Sequence, residues 1–142
     1  MGDCLWATPG IRALKKSFSD AAIDLLIRPQ WESLYFGSPY IREIILYQPQ
    51  WYRQLALLPR LLRTHYDRVL IFHSNKDIGR LIPCLRCAEI WAHQNLPNLL
   101  DDQVLKFFQP THPILRRAAI LEKIKVKLDG THMEIFFSAN DH

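Results

Sequence analysis

Apolar runs too short to be helices alternate along this chain with segments whose apolar residues recur every three or four positions. The runs are Ala22 to Ile27, Glu43 to Tyr47 and Arg68 to Phe72. Between them, helical spacing links Cys4, Ala7, Ile11, Leu14 and Phe18, then Trp51, Leu55, Leu58 and Leu62, then Ile78, Leu81, Ile82 and Leu85. Near-continuous apolar character suits a strand covered on both faces. Strands that alternate with helices predict an α/β fold with a mainly parallel sheet.

Other signals fill in the pattern. Arg28-Pro29 ends the first strand, because proline has no N–H to give a ladder. Trp31 to Tyr35 reads as a short helix, and Pro59 should kink or split the helix around it. Ala88 to Trp91 reads as a further strand. Residues 93–112 are polar, with an apolar element near Val104 to Phe108. Thr111 is placed to cap a last helix with Pro113 in its first turn. Ile114, Ala118 and Leu121, flanked by Ile120 and Ile124, give that helix its inner face. Met133 to Phe137 is expected to be a final strand, before a polar tail from Ser138 to His142.

A chain of 142 residues fits one domain, here 1–142. A domain of this size buries roughly 68–70% of the surface its unfolded chain exposes, enough for a core without staples. The excess of 18 basic over 14 acidic side chains favours anionic partners such as phosphates, acidic sugars or lipid headgroups, or serves solubility alone. The basic residues are spread out, which argues against nucleic acid. No apolar run reaches the ~18–20 residues of a membrane span. No secretory signal is visible, and Trp6 stands where a myristoylation pattern needs Ser or Thr. With three cysteines, an odd number, the chain reads as cytoplasmic.

Ligands of open α/β sheets bind beyond the carboxyl ends of strands, in loops that lead into helices. Two loops qualify. One holds Gly2 and Asp3, at the start of the helix that ends with Lys15 and Lys16. Asp3 is either that helix's N-terminal cap or a catalytic carboxylate held in a glycine loop. The other holds His73, Ser74, Asn75 and Lys76. These offer hydrogen bonds to sugar hydroxyls and a cation for an acidic ligand, or they cap the helix starting near Asp77. Arg28 is read as a surface residue. Cys84 and Cys87 form a CxxC pair at a helix end after Pro83, where a redox motif would not sit. They are expected to be buried and inert, since a zinc site would need two more ligands and His93 is a loose candidate. His112 and His132 stand alone and read as structural or solvated.

The opening stretch GDCLWATPGIRALKKSFSDAAIDLLIRPQWESL resembles the start of the bacterial heptosyltransferases, glycosyltransferase family nine. Gly2-Asp3, Thr8-Pro9, Ile11 to Lys15 and Asp20 to Leu26 follow the family's order and spacing. Ser38 to Ile41 resembles its Asn-Pro-Tyr-Ile, with Ser in place of Asn. Tyr66-Asp67 and the segment from Pro113 through Glu122 also fit. The resemblance implies the N-terminal half of a GT-B fold: a Rossmann-like domain that takes the sugar acceptor, opposite a second domain that takes the nucleotide sugar.

Only Met1 precedes Gly2, so the expectation is an acceptor domain lacking its first strand and its donor domain, and inactive alone. A sheet edge beside 22–27 and 68–72 would then invite self-association. By resemblance Asp3 is the general base of an inverting transfer that needs no metal or cofactor on this side. Gly2, Thr8, His73, Ser74, Asn75 and Lys76 would line the acceptor site. The implied donor is a nucleotide sugar such as ADP-heptose, and the implied acceptor is a lipopolysaccharide inner-core sugar or similar glycan at the inner face of the membrane. That location brings peripheral membrane association with it. The alternative is a stand-alone, non-catalytic module that binds an anionic glycan or a protein partner.

Overall fold

Pro9 decides how the chain begins. A helix running unbroken from Asp3 to Phe18 would set the proline ring against the Leu5 carbonyl and leave that carbonyl without its N–H partner. The computed structural model, which describes residues 2–136 except for the side chain of Asp3, resolves the conflict with a break. One turn of helix, α1 (Gly2–Leu5), is followed by a two-residue turn and then by α2 (Thr8–Ser17). The orphaned Leu5 carbonyl accepts instead from the Thr8 hydroxyl at 2.8 Å. The single helix expected from the apolar spacing is thus two. Ala7, not Asp3, precedes the longer one.

The described residues group into two compact units, one drawn from both ends of the chain, up to Tyr47 and from Pro113 on, the other Gln48–His112. In the first, β1 (Asp24–Ile27) pairs in parallel with β2 (Glu43–Leu46), with Leu25 opposite Ile44 and Ile27 opposite Leu46. A 3-10 turn over Pro29–Leu34 lies between them. Arg42 grips the Asp24 carboxylate with two hydrogen bonds, of 2.8 and 2.6 Å. Helix α2 packs against α6 (Pro113–Lys123), whose buried residues are Ile114, Arg117, Ile120 and Leu121. Of the expected inner face, Ile114, Ile120, Leu121 and Ile124 are buried; Ala118 is only half-buried, and its neighbour Arg117 is buried. The helix begins at Pro113, which puts His112 rather than Thr111 at its lip. The Thr111 hydroxyl donates to the Gln109 carbonyl at 3.0 Å.

Helix α6 ends in a Schellman motif. The Val126 N–H reaches the Leu121 carbonyl and the Lys125 N–H reaches that of Glu122, both at 3.0 Å. Lys125 holds the left-handed turn at φ 62°, a conformation that suits glycine. The reversal buries Val126 beside Leu121. From here the chain does not form the expected last strand. Residues 133–136 join no ladder, and Phe137 lies outside the described residues. The reason is a tertiary contact: the Glu134 N–H donates to the Thr8 hydroxyl at 3.1 Å rather than to a neighbouring strand.

In the second unit Pro59 splits its helix as expected, into α3 (Trp51–Gln54), a 3-10 turn and α4 (Leu58–Arg63), with the proline in the opening turn of α4 where its missing N–H is harmless. Strand β3 (His65–Ile71) is followed by α5 (Lys76–Leu81) and then by β4 (Arg86–Ala92). The two strands pair in parallel, and the opposed Arg68 and Glu89 form an ion pair at 2.9 Å. Ile71, Ile82, Ile90, Ala92 and Leu96 make this unit's core. Val104 adds a parallel bridge to Ala92, the outcome of the apolar element seen in the sequence. Among the described residues, no helix is long and apolar enough to cross a membrane.

Candidate functional site

The backbone of Asp3 is held from several sides. It sits in the single turn of α1, which is closed by the Trp6 N–H on the Gly2 carbonyl at 2.9 Å and the Ala7 N–H on the Cys4 carbonyl at 3.1 Å. The Tyr35 hydroxyl also donates to the Cys4 carbonyl. Burial pushes the pKa of this phenol well up, with the Cys4 thiol adding to the rise, so the hydroxyl keeps its proton and remains a donor. The Arg117 guanidinium of α6 lies 5.9 Å from the centroid of the Trp6 ring, a cation–π contact in a buried setting. Gly2 is exposed, and a Cβ there would touch the Trp6 ring at 3.4 Å. The Asp3 side chain, expected to be the base, lies outside the described structure.

Thr8 is buried and its hydroxyl is fully used, donating to Leu5 and accepting from Glu134. It belongs to a stripe that repeats every four residues along α2: Thr8, Arg12 and Lys16. Each touches the strand-like tail after α6. Arg12, 2% exposed, donates to both oxygens of Asp129 at 3.0 and 3.2 Å, to the His132 carbonyl at 3.1 Å and to Glu134 Oε1 at 2.8 Å. Its Nη2 lies 3.2 Å from His132 Nδ1. The other ring nitrogen, Nε2, lies 3.3 Å from Glu134 Oε1. Lys16 reaches Asp129 from the next turn. The hydrogen bond from Lys16 above all, helped by that from Arg12, holds the Asp129 carboxyl down at about 2 against an opposing contribution from burial.

The other loop belongs to the second unit. His73 is exposed just beyond β3, and Ser74 is half-buried with its hydroxyl oxygen covered and unpartnered among the described residues. Asn75 is the N-cap of α5: its side-chain oxygen accepts from the Ile78 N–H at 3.0 Å. Lys76 is exposed in the first turn. Of the two roles weighed for the loop, the cap is seen, at Asn75, while His73 and Lys76 are exposed. Gly2, Asp3 and Thr8 stand on one unit and these four residues on the other.

The remaining candidates resolve into structural parts. Cys84 closes a 3-10 turn, while Cys87 is on β4 rather than a helix. Both are half-buried thiols, more accessible than expected, and burial raises the Cys87 pKa, away from thiolate reactivity. His93 Nε2 lies 2.9 Å from the Phe72 carbonyl. Among the described residues, no three His, Cys, Asp or Glu side chains converge as a metal site. Tyr35, Arg117 and the Arg12 cluster were not singled out from the sequence, although the four-residue repeat Thr8, Arg12, Lys16 was there to be seen.

Two parallel strand pairs, each set among helices along the chain, make an α/β fold. The same fold occurs in a glycosyl transferase family 9 structure from Veillonella parvula DSM 2008, which matches 96% of this chain with a TM-score of 0.72 at 19% identity. The chain spans 42% of the length of that protein. No family model matches the sequence, and no curated protein does.

Proposed function

We propose that this chain is the acceptor-binding half of an inverting, heptosyltransferase-like glycosyltransferase. The observation that supports this reading most is the fold shared with a family 9 glycosyl transferase over 96% of the chain. In this reading Asp3 accepts the proton of the acceptor hydroxyl as its oxygen attacks the anomeric carbon of a nucleotide sugar such as ADP-heptose. A new C–O glycosidic bond forms on one face of the sugar. The bond to the diphosphate breaks on the opposite face, and the nucleoside diphosphate leaves.

A general base has to lie within hydrogen-bond reach of the proton it takes, so its backbone has to be fixed. The closed turn of α1, with Tyr35 on the Cys4 carbonyl, supplies that rigidity. Gly2 and Thr8 shape the turn. Within its own unit the loop after β3, its backbone set by the Asn75 cap, offers His73 and Ser74 to sugar hydroxyls and Lys76 to an acidic group such as that of a lipopolysaccharide-core acceptor at the inner face of the membrane.

The test joins this chain to a donor-binding domain and measures sugar transfer. Asp3→Asn is expected to lower transfer by roughly 10²–10⁴ while leaving acceptor affinity intact. Transfer that survives Asp3→Asn removes the base assignment.

A further inference from the structure

Past Gly130 the tail has the habit of an edge strand. Arg12 Nη1 donates to the His132 carbonyl at 3.1 Å, and the Glu134 N–H donates to the Thr8 hydroxyl at 3.1 Å. The peptide groups of residues 132 and 134 thus both turn toward α2. In extended chain the peptide groups of the alternate residues turn the opposite way. Those of Thr131, Met133 and Ile135 therefore face outward, and among the described residues they have no hydrogen-bond partner. The side chains alternate as well. Glu134 and Phe136 are half-buried, with Phe136 edge-on to the Tyr40 ring at 5.7 Å. Met133 is 49% exposed and Ile135 46%.

Native edges are blunted by proline, lysine, a bulge or an inward charge. No proline or lysine occurs from Thr131 to Phe136, and the inward charge, Glu134, is already met by Arg12. The other carboxylate oxygen, Oε2, is covered and has no partner among the described residues.

This edge is also complementary to itself. Laid antiparallel about Met133, Thr131 stands opposite Ile135, Met133 opposite its own copy, and His132 opposite Glu134. The outward pairs are then the ones that exchange N–H···O bonds in both directions, and the His132–Glu134 pairs are the closely spaced ones between them. A ring that carries an N–H meets a carboxylate with an unused oxygen, and the two-fold symmetry repeats the contact.

We infer that residues 131–135 form a docking edge for a second copy of this chain, paired antiparallel across a two-fold axis at Met133. This edge is distinct from the one expected beside 22–27 and 68–72, and it needs neither Asp3 nor a sugar. An interface of this size makes a weak, reversible dimer.

The test is sedimentation velocity of the full chain over a concentration series that reaches the millimolar range. A reversible monomer–dimer equilibrium is expected. Met133→Pro removes the N–H at the axis from both copies, and should weaken association at least ~10-fold. A single copy tolerates it, because that N–H serves no bond within the described chain. Met133→Lys keeps the backbone, sets like charges opposite each other and should weaken association roughly fivefold. Circular dichroism checks that both variants fold.

A cross-link fixes the register, in a background with Cys4, Cys84 and Cys87 replaced by alanine. Met133→Cys should form a disulfide dimer with copper phenanthroline as oxidant, since opposed Cα atoms lie ~5.5 Å apart. Thr131→Cys should not, as the same residue of the second copy would be ~14 Å away. The inference is overturned by a folded wild type that stays monomeric throughout, or by a dimer that both Met133 variants leave unchanged. It is also overturned if Thr131→Cys cross-links as readily as Met133→Cys.

Discussion

Arg12 Nη1 donates to Glu134 Oε1 at 2.8 Å across 122 residues of sequence. Around that bond the tail after α6 runs along α2 from Lys16 back to Thr8, with Asp129, His132 and Glu134 meeting one four-residue stripe. Two acidic side chains and a carbonyl converge on one buried cation. The arrangement ties the end of the described chain to the helix that follows the Gly2-Asp3 turn.

Removing the cation leaves its partners without compensation. Arg12→Ala should lower stability by about 3 kcal/mol, the scale for breaking a buried ion pair by deleting one member. Arg12→Lys should recover part of this, as it restores the charge but not the planar fork that serves three groups at once. Urea denaturation of the three proteins checks both statements.

Asp129 has a pKa lower in the folded chain than its ordinary value of 3.8, at about 2. A group depressed on folding adds stability above its unfolded pKa and loses that contribution as pH falls through the folded one. The melting temperature of the wild type should therefore fall between pH 4 and pH 2 more steeply than that of Asp129→Asn. Parallel slopes in the two proteins would mean that Lys16 and Arg12 do not hold this carboxylate.

The Tyr35 hydroxyl supports the turn that carries Asp3. Tyr35→Phe keeps the ring and deletes the donor, so a cost of about 1–2 kcal/mol is expected. Because the Cys4 carbonyl retains the Ala7 N–H, the loss should stay at the low end. Hydrogen exchange at the Trp6 and Ala7 amides should quicken, a local readout that thermal melting alone would miss.

Lys125 occupies a position made for glycine, at φ 62° in the Schellman motif that closes α6. Lys125→Gly should stabilise the chain by about 0.5–1 kcal/mol by relieving the left-handed strain of a side-chain-bearing residue. Thermal melting checks this, and a destabilised Gly variant would contradict it.

Asn75→Ala should cost about 1 kcal/mol through loss of the cap on α5, and Asn75→Asp should restore most of it. If the two variants behave alike in thermal melting, the Ile78 contact is not a working cap.

Much of this architecture is legible in the sequence because it rests on local rules. Pro59 splits its helix, Arg68 to Ile71 of the expected strand lie in β3 while Phe72 falls just past its end, and Pro113 opens the last helix, each from chemistry within a few residues. The break at Pro9 was legible by the same rule but was masked by the helical spacing of Cys4, Ala7 and Ile11. Partners fixed by tertiary structure were not legible. Arg12 looks like any solvated helix residue until Asp129 and Glu134, over a hundred residues away, are seen to close on it. Met133 to Ile135 alternates like a strand, yet its backbone is taken up by Thr8. At the candidate site the Gly2-Asp3 turn and the His73 to Lys76 loop were found by their position before helices, whereas Tyr35 and Arg117 came into view only with the fold.

The measurement that bears most directly on acceptor binding is calorimetric titration of this chain with a deacylated lipopolysaccharide inner-core oligosaccharide. Saturable binding is predicted, unchanged by Asp3→Asn and weakened roughly tenfold by Lys76→Ala through loss of a charge-assisted hydrogen bond. A folded wild-type chain that shows no saturable binding, or binding indifferent to Lys76→Ala, would contradict the assignment of the His73 to Lys76 loop to an acidic glycan.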